Sequence, residues 1–293
     1  EKSYINGDMD VINVLLVSLE KKVTKNGKKV MAIYSVKEIY YTIQGEGFYT
    51  GKPAIFCRFA GCNLWTGREK DRENAKCNFC DTDFVGTDGL EGGAYDGSKS
   101  LALKIISLWP SAVRPFVVLT GGEPLLQVDN ELIKELKNNN FKIAIETNGT
   151  ILAPKGIDWI CVSPKIGTKI IQNFGDELKI VFPQKGLELK DYEEYDFKHF
   201  SLQPMDGKLI EQNTKLTIEC CMKNPKWNCD NLQNYEKLLE EVKFEKVVTS
   251  FYSFNSYLPN ERTERDEEKR GRIKEYDNYL NTMKTNVSKV FVI

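Results

Sequence analysis

Three cysteines crowd one polar loop. The stretch "CNLWTGREKDRENAKCNFCDTD" (62–83) places fourteen residues between Cys62 and Cys77, and two between Cys77 and Cys80. A C-x-x-C pair on a tight turn aims two thiolates inward, and a third cysteine in the same hydrophilic loop strengthens the case for a bound metal. Structural zinc is four-coordinate and closed. The single histidine, His199, is remote in sequence, and Cys57, which would complete a zinc site, lies in "AIFCRF" and reads as a strand side chain. A four-iron cube takes one thiolate per iron, so three cysteines leave one iron open to a substrate or cofactor. The loop alone leaves both readings standing: an open cluster and structural zinc.

The elements around this loop alternate between two periods. "PAIFCRFAG" (53–61), "PFVVLTGG" (115–122), "FKIAIETNG" (141–149), "DWICVSP" (158–164), "ELKIVFP" (177–183) and "HFSLQP" (199–204) are short β-rich runs bounded by Gly, Pro or Asn. Between them, "SKSLALKIISLW" starts a helix at a Ser98 cap, and "DNELIKELKNNN" starts one at Asp129 with Leu132, Ile133 and Leu136 on one face. "NTKLTIECCMKN" follows the last strand. Such alternation predicts a mostly parallel sheet covered by helices, open or barrel-like, with ligands at the carboxyl ends of the strands. The polar tails "TGGEP", "ETNGT", "SPK" and "QPMD" occupy those ends. A lone Gly-Gly pair reads as a tight turn. Four polar strand ends beside an open cluster load one face with chemistry.

The bulk composition is that of a soluble α/β protein with one large domain or two modest ones. At 293 residues the chain builds a sizeable core, and a net charge of −1 gives no global attraction to nucleic acid or an anionic membrane. No run approaches the roughly 18 apolar residues of a membrane span. "VINVLLVSL" (11–19) reads as a short amphipathic element rather than a signal peptide. A cytoplasmic protein keeps its thiols reduced, so Cys57, Cys161, Cys220, Cys221 and Cys229 read as buried small hydrophobes. Residues 1–30 form an N-terminal extension leading to Met31, which reads like an internal start. Residues 31–228 form the core domain. Residues 229–293 form a divergent C-terminal extension, partly disordered, whose run at 259–275 reads as a solvated helix or tail.

A three-cysteine loop after a strand, followed by a "GGEP" strand end, resembles the radical S-adenosylmethionine enzymes. The likeness narrows further. "VKEIYYTIQGEGFYTGKPAIFCRFAGCNLW", "CNFCDTDFVGTDG", "LTGGEPLLQ", "IAIETNGT", "DWICVSPK", "LKIV" and "QPMDG" together resemble the 7-carboxy-7-deazaguanine synthase family, in its variant with an enlarged C-x14-C-x2-C loop. The likeness runs from about Met31 to Trp227. It implies an incomplete TIM-like β/α barrel, usually a homodimer, and conversion of 6-carboxy-5,6,7,8-tetrahydropterin to 7-carboxy-7-deazaguanine with release of ammonia, on the route to queuosine and other 7-deazapurines. It implies a [4Fe–4S] cluster on Cys62, Cys77 and Cys80, with S-adenosylmethionine as the missing ligand and a flavodoxin or ferredoxin as reductant.

The remaining roles follow from the same likeness. Gly122, Glu146, Asn148, Ser163, Pro164, Lys165, Gln203, Pro204, Met205 and Asp206 are implied cofactor contacts. Ile43, Gln44, Gly45, Glu46, Arg58 and Thr120 are implied pterin contacts, and Thr82 an implied Mg2+ ligand. A pterin edge carrying donors and acceptors suits Gln, Glu and backbone groups, and its carboxylate suits an Arg fork. Asp81 and Asp83 read as loop caps. After Trp227 the chain departs from the family, lacking a "QTHK"-like stretch. Two other readings remain: a glycyl-radical-type activating enzyme, and a zinc-stabilised binding module without catalysis.

Overall fold

The computed structural model describes residues 32–230. The expectations for 1–30, for the run at 259–275 and for all but the first two residues of 229–293 lie outside them. Nine strands form one sheet: β1 (Ile33–Ile43), β2 (Pro53–Phe59), β3 (Gly93–Asp96), β4 (Phe116–Gly121), β5 (Lys142–Thr147), β6 (Trp159–Val162), β7 (Phe174–Phe182), β8 (Asp196–Pro204) and β9 (Asn228–Cys229). The helices are α1 (Ser98–Ser107), α2 (Asn130–Asn138) and α3 (Ile210–Lys223). The strand order is β3-β1-β2-β4-β5-β6-β7-β8-β9. All pairs from β2 onward are parallel, while β1 runs antiparallel to β2 and β3. The result is an α/β fold, an incomplete TIM-like β/α barrel with β3 and β9 at its edges among the described residues.

The six expected strands are present. The first strand among the described residues, however, is β1, not "PAIFCRFAG". Its pairing with β2 shifts between Val36 and Glu38, so Lys37 and Val36 are both buried and the period-two signal breaks there. Helix α1 is not capped by Ser98: Gly97 occupies the cap with φ +81° and no side-chain bond, and Ser98 is the first helical residue. Asp129 does cap α2, accepting from the Leu132 N–H at 2.9 Å. Helix α3 begins at Ile210, three residues before the pattern predicts.

Strand alternation divides the side chains between two faces. Ile55, Cys57 and Phe59 of β2 face outward with Val117, Leu119, Ile143 and Ile145, and pack against Leu101 and Ile105 of α1 and Leu132 and Leu136 of α2. Ala54, Phe56, Phe116, Val118, Ala144 and Cys161 face inward. Continuing that inner row by two residues on β2, β4 and β5 gives Arg58, Thr120 and Glu146. The fold thus converts a hydrophobic strand start into a polar strand end on the same face.

Candidate active site

The cysteine loop leaves the end of β2. Cys62 is half-buried, and its sulfur accepts from the Leu64 N–H at 3.4 Å. The Cys77 thiol donates to the Cys80 sulfur, which brings the Cys80 thiol down to about 6 and pushes the Cys77 thiol up. Lys165 sits beside these thiols. Burial lowers its ammonium while Cys77 and Cys80 pull it back up, and its Nζ donates to Ser163 O and Oγ, each at 2.8 Å. Cys57 points away into the helix-facing core, fully buried, and cannot serve as a fourth ligand. Among the described residues no three His, Cys, Asp or Glu side chains are close enough together to hold a single metal ion. His199 is engaged elsewhere, its ring 4.3 Å from that of Phe48.

Two observations fit a cluster and its cofactor to this loop. A Cβ on Gly122 would lie 2.3 Å from Gly61 O and 2.8 Å from Cys62 Cβ, so only glycine admits this approach of the "TGG" strand end to the cysteine loop. The buried Trp65, three residues after Cys62, has an indole N–H with no partner in the structure. The chemistry of the donor set agrees: three thiols and an ammonium, and no imidazole.

The expected cofactor residues gather only in part. Asn148 Nδ2 donates to Asn63 Oδ1 at 2.9 Å, tying the end of β5 to the residue after Cys62. The Ser163 N–H donates to Thr147 O at 2.8 Å, and Pro164 is buried. The Met205 N–H donates to Phe182 O at 2.7 Å. Pro204 closes β8, and Asp206 is exposed beyond it. Glu146 stands apart from this group. It accepts from Gln44 Nε2 at 3.0 Å and Thr120 Oγ1 at 3.2 Å.

That contact defines a second, buried polar centre on the inner face. Gln44, Glu46, Glu146, Glu177 and Lys179 line a narrow cleft with Tyr49, Trp159 and Cys161. Glu46 accepts from Lys179 Nζ and from Gln203 Nε2, each at 2.5 Å. Burial pushes the Glu46 carboxyl up to about 7 against the pull of Lys179. Burial also opposes the charge of Lys179, but Glu46 and Glu146 outweigh it and hold the ammonium well above the usual lysine range. Arg58, buried opposite Thr120 in the ladder, donates to Glu38 Oε1 at 2.9 Å and Tyr40 OH at 3.1 Å. Ile43 and Gly45 are exposed, so of the "IQG" trio only Gln44 enters the cleft.

Known proteins match about two thirds of this chain. No protein-family model matches it. A 7-carboxy-7-deazaguanine synthase from Burkholderia multivorans is 54% identical over 195 residues, covering 66% of this chain and 93% of that protein. One from Bradyrhizobium diazoefficiens is 52% identical over 206 residues, covering 70% of this chain and 98% of that protein. The chain belongs to the 7-carboxy-7-deazaguanine synthase family. A crystal structure of QueE from Escherichia coli, 26% identical, covers 68% of this chain and 93% of its own, with a TM-score of 0.49.

Several long-range contacts of this synthase-family site escape a reading by motif, although Glu123 itself lies in "TGGEP". Lys179 lies in "LKIV", where an apolar run hides a charged inner-face residue. Fully buried Glu123 accepts from Leu125 N–H at 3.0 Å, Thr147 Oγ1 at 2.8 Å and Asn148 N–H at 2.8 Å, bracing the ends of β4 and β5. Gln127 holds the start of the cysteine loop. Its Oε1 accepts from the Ser35 N–H at 2.6 Å and its Nε2 donates to Ala60 O at 2.8 Å. Asp230, in the expected C-terminal extension, accepts from the Gly47 N–H at 2.8 Å beside Glu46. Neither a spacing nor a local composition signals these long-range pairs.

Thr82 is half-buried, with its hydroxyl 3.4 Å from Asp81 Oδ1. Asp83 is committed to Lys37 at 2.9 Å and to the Val85 N–H at 3.2 Å. Among the five remaining cysteines, Cys57 and Cys161 are buried as expected. Cys220, Cys221 and Cys229 are only partly covered, because α3 and the short edge strand β9 lie at the rim of the sheet.

Proposed function

We infer that the chain is a 7-carboxy-7-deazaguanine synthase, a radical S-adenosylmethionine lyase that contracts 6-carboxy-5,6,7,8-tetrahydropterin to 7-carboxy-7-deazaguanine with loss of ammonia. The observation that carries this reading is identity at about half of the aligned positions to curated synthases, across nearly their full length and about two thirds of this chain. Cys62, Cys77 and Cys80 would hold the cluster, and Gly122 with Ser163–Lys165 would line the cofactor. When bound, cluster and cofactor supply the radical that removes a hydrogen atom from the substrate.

The chain's own residues orient the substrate and manage protons. Gln44 offers both an amide donor and an acceptor to a pterin edge, held in place by Glu146. Glu46, poised near neutrality, accepts from an amino or ring N–H or gives up its proton as the ring nitrogen departs. Arg58 lies on the same face to receive the substrate carboxylate. The aromatic floor of Tyr49 and Trp159 keeps water from the reacting ring.

Magnesium at Thr82 belongs to the same reading. A hard cation takes a neutral hydroxyl plus substrate oxygens and retains water, and the pairing of Asp83 with Lys37 leaves that aspartate neutralised. A homodimer, reduction by a flavodoxin or ferredoxin, a cytoplasmic location and a product destined for tRNA complete the proposal. No helix among the described residues is long and apolar enough to cross a membrane.

The test is anaerobic reconstitution with iron and sulfide, then incubation with 6-carboxytetrahydropterin, S-adenosylmethionine and a reductant. Mass detection of the deazaguanine supports the reading. A colourless protein holding one zinc ends it, and cofactor cleavage without that product favours an activating enzyme.

A further inference from the structure

The fourteen residues between Cys62 and Cys77 form a compact loop with its own fastenings. Its base closes where the Lys76 N–H donates to Leu64 O at 3.1 Å. Thr66 Oγ1 donates to Asp71 Oδ2 at 2.7 Å across its interior. Gly67 packs so tightly on the segment after the C-x-x-C turn that a Cβ there would lie 2.3 Å from Val85 Cγ2 and 3.0 Å from the Phe84 ring. Residues 69–74 wind into 3-10 turns, and at their centre stands Arg72.

Arg72 joins three parts of this arrangement. Its Nε and Nη2 clasp the Glu69 carboxylate, each at 2.7 Å. Its Nη1 donates to Asn78 O at 3.0 Å and to Cys80 O at 2.8 Å, two carbonyls of the C-x-x-C turn. The guanidinium carbon lies 4.1 Å from the centre of the Trp65 ring, which meets Phe84 edge-on at 5.6 Å. One planar cation therefore touches the arm that follows Cys62, the 3-10 turns and the turn that carries Cys77 and Cys80. A guanidinium presents five donors in a rigid fork, and lysine presents a point charge that cannot span the same three directions.

We propose that Arg72 is a positioning residue for the cluster: it fixes the C-x-x-C turn against the arm bearing Cys62, and so holds the three thiolates at the separation the cluster requires. This rests on the reading that Cys62, Cys77 and Cys80 hold an iron–sulfur cluster. Arg72 touches no thiolate itself and acts through the carbonyls of Asn78 and Cys80. The enlarged loop thereby carries its own brace, in the middle of its insertion.

The experiment compares the reconstituted full chain with Arg72→Gln and Arg72→Lys. Loss of a partner that orients a metal ligand typically weakens retention about tenfold or more. Both variants are expected to release iron to a ferrous chelator at least about tenfold faster than wild type, followed by bleaching of the cluster absorbance. Arg72→Lys fails with Arg72→Gln because the fork, not the charge, does the work. In the cluster-free protein, hydrogen exchange should rise in both variants over peptides spanning 66–80 and stay unchanged over β4 and β5. Wild-type release rates in Arg72→Gln, or full rescue by Arg72→Lys, would overturn the proposal while leaving the cluster assignment intact. A wild-type chain that takes up no cluster would instead sink the cluster reading, and this inference with it.

Discussion

Lys179 Nζ lies 2.5 Å from Glu46 Oε2 and 4.0 Å from Glu146 Oε1, with the lysine and Glu46 almost wholly buried. Lys179 also stabilises the charge of Glu177, and Asp230 adds its field to both Glu46 and Lys179. Removing the ammonium strands buried charge. Lys179→Met is predicted to lower stability by about 3–5 kcal/mol, the usual cost of breaking one side of a buried pair. The urea midpoint measures this, and a change below about 1 kcal/mol, the range of a surface pair, would show that the pair is solvated.

Glu46 also imposes a pH dependence. Its carboxyl titrates near 7 in the folded chain and near the ordinary carboxylate value when unfolded. Between those values the folded state holds the extra proton, so this contribution is complete below about pH 4.5 and is lost as pH rises through 7. One proton corresponds to a slope of about 1.4 kcal/mol per pH unit at most. Buried Glu123 and Glu177 are shifted the same way and steepen the trend. Glu46→Gln is expected to flatten the stability curve between pH 5 and 7, read from urea midpoints across that window; an unchanged slope refutes the assignment.

How much of this was legible in the sequence differs by length scale. The parallel strands were readable because they are buried on both faces and bounded by turn residues. Strand β1 was not, because its bulge breaks the alternation at Lys37. The cysteines announce themselves by spacing, and the family likeness supplied Gln44, Glu46 and Arg58. Lys179 and Asp230 were silent, since what matters is their distance to Glu46 and Gly47 across more than a hundred residues of chain.

The cysteines divide by face. Cys57 is fully buried among the helix-facing side chains of β2, and burial pushes its thiol far up, out of reach of metal binding. Cys57→Ala should keep its full iron content and lose about 1–2 kcal/mol of stability, as for a small buried side chain. Cys62→Ala, Cys77→Ala and Cys80→Ala should each lose the cluster. Iron analysis after reconstitution decides, and full iron in Cys77→Ala would contradict the site.

For magnesium, the lysine at position 37 separates the neighbouring acids. It binds Asp83 at 2.9 Å and Asp88 at 2.7 Å, leaving Thr82 as the hydroxyl two places after the final cysteine. Thr82→Ala is predicted to abolish magnesium activation of turnover while cofactor cleavage persists. Asp83→Asn should retain that activation. If the two variants exchange these behaviours, the ion is held by the carboxylate.

Gly122 gives the sharpest test of the junction between the cysteine loop and the strand end. Its N–H donates to Phe59 O at 3.3 Å, and the next residue's N–H donates to Gly61 O at 2.9 Å, so the two backbones are stitched together. A methyl group here meets Gly61 O at 2.3 Å and Cys62 Cβ at 2.8 Å. Both are held by main chain, so relief requires moving Cys62 itself. Gly122→Ala should cost about 1–3 kcal/mol by overpacking, and the displaced Cys62 should leave the reconstituted chain short of iron. Gly61→Ala is the control. Its φ of +88° carries strain of roughly 1–2 kcal/mol for a side chain, but a Cβ there meets nothing within 4 Å. The two variants are thus similarly destabilised in urea, yet only Gly122→Ala should fail to retain iron. Equal iron in both would show that the close approach of β4 to the cysteine loop does not set the position of Cys62.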